Sequence, residues 1–171
     1  MVHAFDSWFG LPEDWVQTPL SVQRAHQYSL NGKPPILPDG VVAHAGWFNS
    51  TVPAFIKGLT ETMPPQLPLQ LRYVVSFIHI DCDLYSSTLE ALEPLASSGL
   101  LVGADEGTSN GTIIFFDEYF GYPGWEEHES SAWKEIAQQY RIDFEFLHYF
   151  GQRVAIRVIS TGHNVKINDN P

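Results

Sequence analysis

The sequence of 171 residues has the length of one globular domain, and its 44% hydrophobic and 13% aromatic content is enough to bury a core. The 20 acidic residues outnumber the 9 basic ones and give a formal net charge of -11, which disfavours binding to nucleic acids and anionic membranes. The single cysteine, Cys82, excludes an internal disulfide and a cysteine-based zinc site. No run reaches the roughly 20 apolar residues of a membrane span, and residues 1–6 lack the features of a signal peptide. We therefore expect a soluble, cytoplasmic, bacterial protein.

The first half of the chain is predicted to hold two strands and one helix. In chain order the segments are a strand over 2–5, a structured loop over 7–15, a proline- and glycine-rich loop over 31–40, a strand over 41–46 and a helix over 52–63. Residues 49–51 supply polar side chains that can cap this helix, and Pro53 is tolerated in its first turn. Three prolines then end the helix: Pro64, Pro65 and Pro68.

The second half predicts an α/β sheet. Two apolar runs without polar alternation, over 73–80 and 112–116, are typical of parallel strands that are covered on both faces. The remaining segments are a helix over 87–96, a helix over 126–140 and a hairpin that pairs 144–149 with 153–159. The order of these elements predicts a mostly parallel sheet with an antiparallel hairpin at its C-terminal end. We expect one domain over 1–160 and a polar tail over 161–171.

Carboxylates follow both apolar strands directly. The first strand leads into Asp81 and Asp83, and the second leads into Asp117 and Glu118. If these strands are neighbours, their carboxyl ends lie roughly 5 Å apart, at the edge where open α/β sheets bind ligands. Crowded carboxylates need a positive partner, and Mg²⁺ or another hard divalent cation is the natural one. The alternative is that these residues cap helices and stabilise turns.

Four segments in chain order resemble the macrocin O-methyltransferase family. They are 5–13 (FDSWFGLPE), 46–53 (GWFNSTVP), 79–88 (HIDCDLYSST) and 113–119 (IIFFDEY). The family consists of S-adenosylmethionine-dependent enzymes with a Rossmann-like fold, many of them metal-assisted, that methylate sugar hydroxyls. The resemblance therefore implies an O-methyltransferase that uses S-adenosylmethionine and Mg²⁺ or another hard divalent cation.

The resemblance also implies roles for individual residues. Asp6 would hold the ribose hydroxyls of S-adenosylmethionine, with Ser7 beside it in the cofactor site. Asp81, Asp117 and Glu118 would bind the metal, and Asp81 would also act as the catalytic base. Glu118 stands where the family usually has a second aspartate.

Two features depart from the family pattern. The family's sheet has a central first strand followed by a glycine-rich turn, and no such segment precedes residue 5 here. We therefore expect a partial methyltransferase-like domain with a gap in its sheet. Residues 100–110 resemble an insertion, whose acidic residues we expect to be solvated.

Two other functions remain open. A non-catalytic fragment or remnant of the same fold would explain the missing first strand. A metal-dependent glycosyltransferase would use Asp81 and Asp83 as an Asp-x-Asp motif, although it would leave Asp117 and Glu118 unexplained. As partners we expect a small-molecule acceptor such as a glycoside, and a second copy of the chain, but neither nucleic acid nor membrane.

Overall fold

The structure, a computed structural model, describes residues 1–62, 73–106 and 110–162. It is a mixed α/β fold whose helices are α1 (Phe48–Glu61), α2 (Tyr85–Ser97) and α3 (Glu129–Gln139). Its strands are β1 (Val2–Asp6), β2 (Trp15–Thr18), β3 (Ser21–Gln23), β4 (Val41–Ala45), β5 (Phe77–Ile80), β6 (Ile113–Phe116), β7 (Asp143–Phe150) and β8 (Arg153–Ser160). None of the described helices is long and apolar enough to span a bilayer.

The largest sheet has the strand order β5-β6-β8-β7. Its β5 and β6 are parallel, and the β7–β8 hairpin adds antiparallel strands on the other side of β6. The C-terminal hairpin is thus present as predicted, and the two apolar strands are neighbours, which is the condition for their acidic residues to meet. A second, parallel sheet joins β1 to β4, and a short antiparallel sheet joins β2 to β3.

The β1–β4 sheet and the four-stranded sheet are separate within the described part of the chain. The ladders found there leave β1 paired on one side by β4, and β5 paired on one side by β6. At these unpaired edges Val2 is 62% exposed and Phe77 is 60% exposed. Unpaired strand edges with exposed apolar side chains are uncommon because their free N–H and C=O groups can pair with another strand.

The core lies between the four-stranded sheet and helices α2 and α3. Alternate residues of β6 and β8 point to this face, and Ile114, Phe116 and Ile156 are fully buried there. Leu92 of α2 and Trp133 of α3 cover them from the helical layer. Burial of each such side chain contributes about 1.5–3 kcal/mol to folding, so this layer holds the ends of β5 and β6 in place.

Helix α1 begins earlier than predicted. Trp47 has an extended backbone and is its N-cap, and the Trp47 carbonyl accepts hydrogen bonds from the backbone N–H groups of Ser50 and Thr51. The predicted cap over 49–51 is wrong because these residues already form the first turn. The Asn49 amide instead donates to Glu90 of α2 at 3.3 Å. The predicted helix stop at the three prolines lies outside the described residues.

Other boundaries also differ from the predictions. The strand predicted over 73–80 is hydrogen-bonded as a strand from Phe77 onward, and part of the predicted loop over 7–15 instead starts the β2–β3 hairpin. The predicted helix over 126–140 is broken at His128, where a 3-10 turn over Trp125–Glu127 gives way to α3.

The segment that resembles an insertion, 100–110, begins with three core residues. Leu100, Leu101 and Val102 are buried, and the backbone of Val102 is tied to Thr112 at the start of β6. Residues 100–102 therefore contribute to the core beside the sheet. Its Asp105 is exposed, as expected. The predicted tail lies outside the described residues from position 163 onward.

Candidate functional site

The register of β5 and β6 places their carboxyl ends side by side. Ile80 is paired with Phe116, and the backbone N–H of Asp117 donates to the Ile80 carbonyl at 3.0 Å. The chain leaves both strands immediately after this pair. The acidic residues that follow β5 and β6 therefore emerge at the same edge of the sheet, as the sequence predicts.

Three carboxylates converge at this edge. One oxygen each of Asp81, Asp83 and Glu118 lies within 4.8 Å of the others. Asp83 has a left-handed backbone with φ of 63°, a conformation that aspartate tolerates better than most residues. This conformation turns the chain sharply from β5 into α2. We call Asp81, Asp83 and Glu118 the acidic cluster.

Two members of the acidic cluster, Asp83 and Glu118, are disfavoured in their ionised form. Burial, followed by repulsion from neighbouring carboxylates, raises the pKa of Asp83 to about 6 and that of Glu118 to about 8. The Oε2 atom of Glu118 is buried and has no hydrogen-bond partner among the described residues. A divalent cation with oxygen ligands would satisfy both the charge and this unpaired atom. The donor set therefore fits a hard metal ion.

Asp117 lies beside the acidic cluster but is held by a cation of the protein itself. Arg153, the first residue of β8, donates from Nε to Oδ1 at 2.6 Å and from Nη2 to Oδ2 at 3.1 Å. Both carboxylate oxygens of Asp117 thus face a guanidinium. His79 also approaches, with its Nε2 at 4.0 Å from Oδ1. The sequence analysis names Asp117 as a metal ligand and does not foresee Arg153.

A fifth carboxylate, Glu129, lies beneath the acidic cluster and is fully buried. Its Oε1 accepts hydrogen bonds from the backbone N–H groups of Cys82 and Asp83, both at 3.2 Å, and its Oε2 accepts one from Glu118 at 3.3 Å. Burial raises its pKa to about 8, although these hydrogen bonds oppose the shift. Sequence analysis misses Glu129 because an acidic residue at a helix start is typical of a solvated position.

The cofactor residues implied by the resemblance lie in a turn at the end of β1. Asp6 is exposed, and its Oδ1 accepts a hydrogen bond from the backbone N–H of Trp8 at 2.6 Å. Ser7 is buried, and its Oγ accepts one from the backbone N–H of Phe9 at 3.0 Å. Asp6 is therefore accessible to a ligand, whereas the Ser7 hydroxyl is used within the turn.

Contacts between loops connect this turn to the acidic cluster. Glu13, which follows the turn, accepts a hydrogen bond from Ser86 in the first turn of α2 at 2.6 Å. Leu11 and Trp15 pack in one buried cluster with Leu84, the residue after Asp83. The loop after β1 is thus fixed against the start of α2, which follows Asp83 of the acidic cluster.

The fold is shared with a known methyltransferase. The solved structure of the O-methyltransferase NovP aligns with 93% of this chain at a TM-score of 0.57, with 19% sequence identity. The chain has an O-methyltransferase fold. It spans 60% of the length of NovP. No family model matches the sequence. No curated protein sequence matches it.

The NovP-like fold carries the predicted site residues in three different environments. Asp81 and Glu118 lie together and are joined by Asp83. Asp117 is adjacent but paired with Arg153. Asp6 lies at the end of another strand. Their roles in metal binding, cofactor binding and proton transfer remain predictions.

Proposed function

We propose that this protein is an S-adenosylmethionine-dependent, divalent-metal-assisted O-methyltransferase that acts on a hydroxyl of a sugar or another small molecule. The acidic cluster carries this proposal, because its three oxygens converge within 4.8 Å at the carboxyl ends of adjacent parallel strands. The NovP-like fold supports the reaction class.

We propose Asp81, Asp83 and Glu118 as the residues that would hold the metal. This set replaces Asp117 of the sequence-based prediction with Asp83, because Arg153 already engages both oxygens of Asp117. A bound divalent cation supplies Lewis acidity, which lowers the pKa of a hydroxyl that is brought to it.

Asp81 is the proposed general base. It is the exposed member of the acidic cluster, whereas Asp83 and Glu118 are half-buried, so it is the one most open to an acceptor hydroxyl. Its carboxylate would accept the hydroxyl proton as the acceptor oxygen forms its bond to the methyl carbon. S-adenosylmethionine would supply the methyl group, with the uncharged thioether as the leaving group.

Asp6 is the proposed ribose ligand. Its exposed carboxylate lies at the carboxyl end of a parallel strand, where acidic side chains bind ribose hydroxyls in nucleotide-binding folds. The hydrogen bond from Trp8 to Oδ1 fixes its orientation. With both substrates aligned by the protein, proximity would supply much of the rate.

A second candidate is a non-catalytic domain of the same fold. The observation in its favour is that, among the described residues, the β1–β4 sheet is not paired with the four-stranded sheet, and Val2 and Phe77 at their unpaired edges are 62% and 60% exposed. Such a domain would retain the acidic cluster without a pocket for the cofactor.

Isothermal titration calorimetry with S-adenosylhomocysteine, with and without Mg²⁺, separates the two candidates. Micromolar binding that is weakened about tenfold or more by Asp6→Asn supports the enzyme. Asp39→Asn is the matched control, because Asp39 is an exposed aspartate in a distant loop. Absence of binding at millimolar ligand would reject the enzyme and favour the non-catalytic domain.

A further inference from the structure

We propose that Glu129 is a positioning residue that holds the backbone of the acidic cluster in its cation-binding arrangement. This inference rests on the proposed function, because it treats the acidic cluster as the metal site. Glu129 is not among the metal ligands predicted from the sequence.

The geometry of the Glu129 carboxylate carries the inference. Its two oxygens accept from backbone groups on two different loops, with Cys82 and Asp83 after β5 on one oxygen and Glu118 after β6 on the other. Because hydrogen bonds are directional, each carboxyl oxygen restrains the position of the backbone N–H groups that donate to it. One side chain thus sets the distance between the loops that carry the three carboxylates.

The path of the chain delivers this side chain to the interior. The 3-10 turn over Trp125–Glu127 ends at His128, whose φ of -118° and ψ of -132° are not helical, and Glu129 is then the first residue of α3. The positive end of the helix dipole favours a carboxylate at this position. The continuous helix over 126–140 that the sequence predicts would instead place Glu129 inside the helix rather than at its start.

The location of Glu129 is unfavourable for a residue whose role is packing alone. It is fully buried, and the neighbouring carboxylates Asp83 and Glu118 repel its charge. A buried charge is costly unless it is paired or well hydrogen-bonded. An apolar residue of similar size would fill the space without this cost, so the three backbone contacts are what the carboxylate specifically provides.

Two variants distinguish the effect of the charge of Glu129 from the effect of its side-chain length. Glu129→Gln keeps the length but replaces one acceptor oxygen with an N–H donor, which cannot accept from a backbone N–H group. Glu129→Asp keeps the charge but is one methylene shorter. Glu127→Gln is the matched control, because it removes one acidic charge from an exposed position two residues away.

The first readout is Mn²⁺ binding, followed by electron paramagnetic resonance. We expect both Glu129 variants to weaken Mn²⁺ binding by about 10–100-fold with unchanged stoichiometry, as is typical when a partner of metal ligands is lost. We expect Glu127→Gln to change it by less than about threefold. Wild-type affinity in both Glu129 variants would overturn the inference.

The second readout is amide hydrogen exchange at Glu118 in the metal-free protein. We expect faster exchange in Glu129→Gln than in the wild type and no change in Glu127→Gln, since only the former loses an acceptor. If the wild type itself binds no Mn²⁺, the proposed metal site is rejected. In that case, faster exchange at Glu118 in Glu129→Gln still supports a positioning role for Glu129, and unchanged exchange overturns it. Circular dichroism melting establishes that the variants fold. Failure of both Glu129 variants to fold would show a general structural role and would also overturn the inference.

Discussion

Arg153 binds Asp117 through two hydrogen bonds, from Nε to Oδ1 at 2.6 Å and from Nη2 to Oδ2 at 3.1 Å. The pair joins the start of β8 to the end of β6, next to the acidic cluster. Of the four carboxylates that follow β5 and β6, Asp117 is therefore paired with a cation of the protein, whereas Asp81, Asp83 and Glu118 form the acidic cluster.

Arg153→Gln should therefore strengthen cation binding. Loss of the guanidinium leaves Asp117 without its partner and makes the potential at the acidic cluster more negative, so we expect Mn²⁺ to bind about three- to tenfold more tightly at low ionic strength. Calorimetric titration measures this change. Arg157→Gln is the matched control, because Arg157 lies on the same strand and pairs with Glu145 instead. Weaker binding in Arg153→Gln would show that Arg153 supports the metal site.

Glu118→Gln should stabilise the metal-free protein and weaken its metal site. The substitution removes one of three crowded carboxylates, so we expect the melting temperature in EDTA at pH 8 to rise by about 2–4 °C. Mn²⁺ affinity should fall by about tenfold or more, because a ligand is lost. Asp105→Asn is the control, since Asp105 is exposed outside the acidic cluster and should change neither value. A lower melting temperature would contradict this account of the crowding.

A pair of histidines should make the β1–β4 sheet sensitive to acid. His3 Nδ1 lies 2.9 Å from His44 Nε2, and burial, with a smaller contribution from the charge of His3, lowers the pKa of His44. A lowered histidine pKa means that the unfolded chain takes up its proton first as the pH falls. The resulting stability is present above the unfolded pKa of about 6.5 and is lost below it.

Thermal melting between pH 7 and pH 5 tests this effect. We expect the wild type to lose more stability over this range than His44→Gln, which cannot be protonated. His148→Gln, which changes an exposed histidine on β7, should behave as the wild type. Parallel pH profiles for the wild type and His44→Gln would exclude His44 as the source.

Substitution of two glycines by alanine should change the stability of the protein in opposite directions. A Cβ on Gly103 would lie 2.3 Å from the Ile159 carbonyl oxygen, so Gly103→Ala should destabilise the fold by about 1–3 kcal/mol. A Cβ on Gly58 in α1 meets nothing within 4 Å, and Gly58→Ala should stabilise the helix by about 0.5–1 kcal/mol. Urea denaturation measures both. Equal stability of Gly103→Ala and the wild type would show that 100–103 does not pack tightly against β8.

The local sequence was sufficient to predict the layout of the sheet that carries the site. Apolar runs end at Ile80 and Phe116, and acidic residues follow each run, so parallel pairing alone brings those residues to one edge. Helix boundaries were less predictable. The first turns of α1 and α3 contact residues that are distant in sequence, since Asn49 donates to Glu90 and Glu129 accepts from Cys82.

The sequence by itself determined which residues are candidates, because periodicity and the strand-then-acid pattern are local properties of the chain. The tertiary structure decided which candidates are paired with another side chain and which form the acidic cluster, because their hydrogen-bond partners lie far away in sequence. Arg153 is 36 positions from Asp117, and Glu129 is 47 positions from Cys82. Charge pairing and hydrogen bonding act over a few ångströms of space, and only the folded chain establishes those distances.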